Sequence, residues 1–172
     1  NASDSARDLH YLRLKPHTMI PYKRHTLSNG LTVAVNRDRQ SKLAAVNILY
    51  KVGARNEDPA RTGFAHLFEH LMFRGTRRIP NFDLPVQMAC GDNNAFTNND
   101  YTDFYITLPK DNLETALWLE SDRMEGLDIT PAKLEAEKKV VIEEFRQRYL
   151  NQPYGDQTML LRALAYKVHP YR

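Results

Sequence analysis

The chain has 172 residues, with 24 Lys and Arg against 21 Asp and Glu, a net charge of +3 and a single cysteine. The opposing charges alternate along the chain, which leaves no basic footprint for nucleic acid, and one cysteine excludes both an internal disulfide and a thiolate metal cluster. No stretch approaches the apolar length of a membrane span, since the best one, Leu43 to Tyr50, has the length of a strand, and the chain is expected to be soluble and to bury a real core as one domain.

The first twenty or so residues, polar and interrupted by Pro16 and Pro21, are expected to be an irregular arm (1–21) ahead of a domain over 22–172. A strand, a turn at Asn29-Gly30 and a second strand open that domain, and a longer strand follows from Leu43 to Val52. From Arg61 to Phe73, helical spacing of Phe64, Leu67, Phe68, Leu71 and Met72 predicts a helix with a broad apolar face toward the core. A second helix is expected after Pro80-Asn81-Phe82-Asp83, and Cys90 reads as a small buried side chain. Strands are expected near Asn94 to Asn98 and Thr102 to Leu108, the latter with Phe104, Ile106 and Leu108 alternating. Three helices close the chain at about Leu113 to Met124, Pro131 to Tyr149 and Gly155 to Val168; Thr130 suits an N-cap and Pro131 a first helical residue. Strands grouped apart from helices predict an α+β architecture, a mostly antiparallel sheet covered by helices on one face.

The run His66-Leu67-Phe68-Glu69-His70 carries the chemistry. On a helix His66 and His70 stand one turn apart on one face, so both imidazoles reach one metal ion, and Glu69 lies close enough to address a water there without being a ligand. The order His-x-x-Glu-His is the inverzincin signature. Read blandly, the stripe of His66, Glu69, His70 and Phe73 is a solvated polar face; its ligating residue types and its aromatic ring point instead to a cleft. A catalytic zinc takes three protein ligands and keeps a fourth position for water. Projected on the helix over 131–149, Leu134, Glu137, Val141 and Glu144 share a face, flanked by Val140 and Phe145, while Glu143 points away with Glu135, Lys139 and Arg146. Glu144 is thus the candidate third ligand, with a core-edge pair to Arg148 as the alternative. Glu137 reads as a residue that orients a ligand, or as a paired structural carboxylate.

His66-Leu67-Phe68-Glu69-His70-Leu71-Met72-Phe73-Arg74-Gly75-Thr76 resembles the active-site helix of the pitrilysin/insulinase family of zinc peptidases, which includes the mitochondrial processing peptidases. Glu137-Lys138-Lys139-Val140-Val141-Ile142-Glu143-Glu144 resembles the family's downstream helix, Ser28-Asn29-Gly30-Leu31-Thr32-Val33 its opening hairpin, and Val52-Gly53-Ala54-Arg55-Asn56-Glu57 its passage into the active-site helix. Asn93-Asn94-Ala95-Phe96-Thr97 resembles the strand that pairs with the substrate main chain. Cys90-Gly91 stands where relatives often have paired glycines, which leaves the shape of that turn open. Val140 to Asp156 and His169-Pro170-Tyr171-Arg172 look most like bacterial members; the resemblance leaves cytoplasm and periplasm both open.

The resemblance implies a zinc metalloendopeptidase acting on peptides or unfolded polypeptides. One Zn2+ is held by His66, His70 and Glu144, Glu69 is the catalytic base, Glu137 supports a ligand, and Asn94, Ala95 and Phe96 bind substrate by strand addition. By composition alone, Asn94 to Thr97 is an ordinary edge strand. The family pairs two homologous halves into a clamshell, so 22–172 is expected to be part of the N-terminal catalytic half, with its counterpart on the same native chain or on a partner subunit. One rival reading is a polypeptide-binding or assembly subunit without turnover. Another is a structural zinc domain, which needs a fourth ligand from His10, His17, His25 or His169.

Overall fold

The computed structural model describes residues 20–172, in two compact units that divide after Ser41. Of the expected N-terminal arm only Ile20 and Pro21 are among them, and His10 and His17 lie outside the described residues. In the first unit β1 (Lys23–Thr26) and β2 (Thr32–Val35) pair antiparallel, Lys23 opposite Val35 and Thr26 opposite Thr32. The turn forms at Asn29-Gly30 as expected. Asn29 Oδ1 accepts the Leu31 N–H at 3.1 Å and Gly30 sits at φ +88°, where a Cβ is unfavourable.

The second unit holds a three-stranded antiparallel sheet of β3 (Leu43–Tyr50), β4 (Asp92–Thr97) and β5 (Thr102–Pro109), in the order β3-β5-β4. Val46 stands opposite Ile106, Ile48 and Ala95 opposite Phe104, and Thr97 opposite Thr102. Because strand side chains alternate, one face of the sheet therefore carries Val46, Phe104, Ile106 and Leu108 into the core, and Ala95 and Thr97 at its margin. Helices cover that face: α1 (Phe64–Leu71), α2 (Asp83–Met88) and α3 (Leu113–Glu125), with Val86, Ala116 and Leu119 closing the core. The α+β architecture expected from the sequence is the one observed. Next come α4 (Pro131–Phe145), which packs on α1, and α5 (Gln157–Ala165).

Three expectations change in detail. Phe64 and Phe68 do not enter the core and remain 46% and 48% exposed. The helix is buried on two flanks, by Leu67 and Leu71 on one and Ala65 and Glu69 on the other, so its most apolar ridge is left between them. The helix over 131–149 loses α geometry after Phe145 and finishes in a wider π turn, Arg146–Leu150, in which the Asn151 N–H reaches the Arg146 carbonyl. Cys90 is exposed, not buried. It takes the left-handed conformation (φ +55°) of the turn into β4, while a Cβ on Gly91 would press on Leu108 and Val86 at 3.0 and 3.1 Å.

Two glycines bracket α1. Gly63 begins it at φ +93°, and Gly75 turns the chain away at φ +81° against the backbone of Ile79 and Pro80. Behind the sheet face, the buried Arg123 guanidinium lies over Phe82 and Phe104 at 4.1 and 4.4 Å, and is paired to Glu120. Tyr50, edge-on to Phe104, has its phenol pKa raised by burial and then by the charge of Glu120. The start of α4 is fixed by Thr130 Oγ1, which accepts the Lys133 N–H at 3.2 Å, and by Lys133 Nζ on Asp128 at 2.8 Å.

Replacing Phe104 by Ala should cost about 3–5 kcal/mol, read from urea unfolding, because the cavity opens under Arg123 and between two rings. The Lys133 hydrogen bond holds the Asp128 carboxyl below its ordinary value. A folded-state pKa below the unfolded one gives stability that is present above the unfolded value and is lost as pH falls through the folded one. Wild type should therefore exceed Asp128→Ala in stability near neutral pH, and the gap should narrow as unfolding is repeated below the carboxylate range.

Candidate metal centre

The α1–α4 crossing assembles the site. His66 and His70, one turn apart on α1, face each other with Nε2 atoms 3.1 Å apart and rings at 80°. Glu144, near the end of α4, places Oε2 3.5 Å from each of those nitrogens. Donors about 2.0–2.1 Å from a tetrahedral ion stand about 3.3 Å from one another. The observed triangle, 3.1, 3.5 and 3.5 Å on its sides, has that size. Two imidazole nitrogens and a carboxylate oxygen are a donor set that suits zinc, so the residues present fit the ion. Among the described residues, this is the one group of three or more His, Cys, Asp or Glu side chains close enough to share an ion. His25 and His169 are outside it; His169 lies tilted against Tyr166 and edge-on to Tyr171 instead.

The carboxylates have separate environments. Glu144 is 47% exposed at the cleft, and it faces the histidines and not Arg148. Along this stripe only Glu137 is buried, while Leu134 and Val141 are half-buried. Glu137 is the buried one, 3% exposed, with Oε2 3.2 Å from His70 Nδ1 and Oε1 2.5 Å from Arg74 Nε. Glu143 sits on the outer side of the helix beside Arg146.

Glu69 is 9% exposed, and its Oε2 accepts a 2.5 Å hydrogen bond from Thr97 Oγ1 on β4. Thr97 was not among the residues singled out from sequence, although strand parity could have found it, since it shares the core side of β4 with Ala95. Glu57 also escaped notice. Its two oxygens accept the Gly63 and Ala65 N–H groups at 2.7 Å each and so satisfy backbone donors at the start of α1.

Site and β4 share one open cleft of about 1160 Å³, whose lining includes His66, Glu69, His70, Asn94, Phe96 and Glu144. Among the described residues β4 pairs only with β5, so its other side is an edge among them. There the Ala95 N–H is held by Asn94 Oδ1 at 2.8 Å. Beyond the strand, Tyr171 Oη donates to Asp100 at 2.6 Å, which raises its phenol pKa, and Arg55 pairs with the same carboxylate.

The sequence model described as insulinase, peptidase family M16, matches residues 32–171. The chain belongs to the insulinase family. A zinc protease of Helicobacter pylori, PqqE, is 37% identical over 149 residues, which are 85% of this chain and 34% of that protein. The beta subunit of the mitochondrial-processing peptidase of Dictyostelium discoideum is 29% identical over 80% of this chain and 29% of its own length. In three dimensions a protease from Helicobacter pylori matches this insulinase-family chain with a TM-score of 0.81 and 35% identity, covering 89% of this chain and 37% of that one. The chain thus spans about a third of the length of these relatives. No helix among the described residues of this family member is long and apolar enough to cross a membrane.

Glu57→Ala leaves two donors at the start of α1 without their partner and should lower metal-free stability by about 1–2 kcal/mol, measured by denaturant unfolding.

Proposed function

We propose that this chain is the metal-bearing part of a zinc-dependent endopeptidase that hydrolyses peptide bonds in peptides or unfolded polypeptides. The convergence of His66 Nε2, His70 Nε2 and Glu144 Oε2 on one point, beside Glu69 and an open strand edge, carries this reading. Bound zinc would supply Lewis acidity, making a water nucleophilic near neutral pH. Glu69 is placed for the proton. With Thr97 orienting its carboxylate through Oε2, Glu69 would accept the proton of the attacking water and later deliver it to the leaving amine. Glu137, through His70 Nδ1, fixes the ring that offers Nε2 to the ion.

Asn94, Ala95 and Phe96 would receive the substrate as an added strand, with backbone bonds giving affinity and the cleft wall giving selectivity. The Ala95 donor such a strand uses is held by the Asn94 side chain, which can swing aside at little cost. Because the chain spans about a third of its relatives, we propose that a second homologous half, on the same native chain or on a partner subunit, completes the chamber. Turnover by these 172 residues alone is then small.

After exhaustive dialysis, wild type should retain about one zinc per chain and Glu144→Gln markedly less, read by elemental analysis. A metal-free wild type at neutral pH would sink the site. Glu69→Gln should keep zinc while the complete protein loses peptide hydrolysis, and substantial cleavage by that variant would remove Glu69 from the base role.

A further inference from the structure

We propose that Arg74 is a positioning residue of the metal site, acting through Glu137 to set the tautomer and orientation of His70. The inference rests on the zinc reading only for one of its two readouts. Glu137 is a carboxylate 3% exposed, and its two oxygens are divided between different partners. Oε1 receives both Arg74 donors, Nε at 2.5 Å and the adjacent Nη2; Oε2 lies 3.2 Å from His70 Nδ1. With one oxygen held by both donors of one guanidinium edge and the other at the His70 ring, the carboxylate is restrained at both ends. An oxygen that can only accept calls for the proton on Nδ1, which leaves the lone pair of Nε2 toward His66 and Glu144.

Arg74 is half-exposed, which would ordinarily mark a surface pair of little consequence. Its partner argues otherwise, being buried and engaged on its other oxygen by a metal-site ring. The backbone of Arg74 is held as well: its carbonyl accepts Lys133 Nζ at 3.1 Å, so side chain and main chain of one residue both grip α4 just after α1 ends. Removing the guanidinium leaves a buried charge uncompensated and frees the carboxylate to turn away from the ring.

The test uses the metal-free and zinc-loaded protein. Long-range nitrogen-15 spectra of metal-free wild type should show His70 carrying its proton at Nδ1; Arg74→Gln should shift it toward a mixture of tautomers. Competition with a chelator should show that Arg74→Gln weakens zinc binding by about 10–100-fold but adds little further loss in a Glu137→Ala background. An unchanged His70 tautomer in Arg74→Gln, or the same loss of affinity in both backgrounds, overturns the proposal. Should Arg74→Gln not fold, wild type still decides: Nδ1-protonated His70 supports the inference and Nε2-protonated His70 overturns it. A wild type that binds no zinc but shows the tautomer shift sinks the zinc reading and leaves this one standing.

Discussion

Burying the carboxylate of Glu137 is the constraint on which the site depends. A charge taken out of water is stable only if its partners are close and well aligned, and here they come from the end of α1 while the carboxylate comes from the middle of α4. Satisfying it therefore forces the two helices into one crossing. The same crossing sets two histidines of one helix against a carboxylate of the other.

The sheet contributes a second, independent restraint. β5 is buried on its helix side at Phe104, Ile106 and Leu108, so its register with β4 is fixed by packing, since a slip of one residue would turn each of these rings and branches to the wrong face. Thr97 is carried by that register to the place where its hydroxyl meets Glu69. The general-base candidate is held from the sheet and the His70 ring from α4, so each is positioned without relying on the other.

Much of this was legible in the residues. Alternation in Phe104, Ile106 and Leu108, the Thr130-Pro131 helix start and the Asn29-Gly30 turn are local signals with local causes, and the elements form where they point. Helical projection also set Glu144, not Glu143, beside the histidines. Other features were not legible because their causes are distant. Arg74 meets Glu137 across 63 residues and Thr97 meets Glu69 across 28; periodicity gives the face a side chain occupies but not the distant partner it meets there. The exposed ridge of Phe64 and Phe68 misled for a related reason: an apolar stripe shows what a helix can bury, while its neighbours decide which flanks they cover. Cys90 shows the same limit, since backbone conformation and not side-chain chemistry turned it outward.

Helix α4 also acts as a lever. It is tied to Arg74 at Lys133 and Glu137, while Glu144 lies two turns beyond the second tie and is exposed. Seven residues of α-helix make an arm of about 10 Å, so a tilt of about 5° at the pivot would carry the Glu144 carboxylate about 0.9 Å. Metal–ligand distances tolerate about 0.2 Å, which corresponds to roughly one degree on this arm. In the proposed zinc site, the angular stiffness of α4 at Glu137 would thus govern how well Glu144 is placed as the third donor.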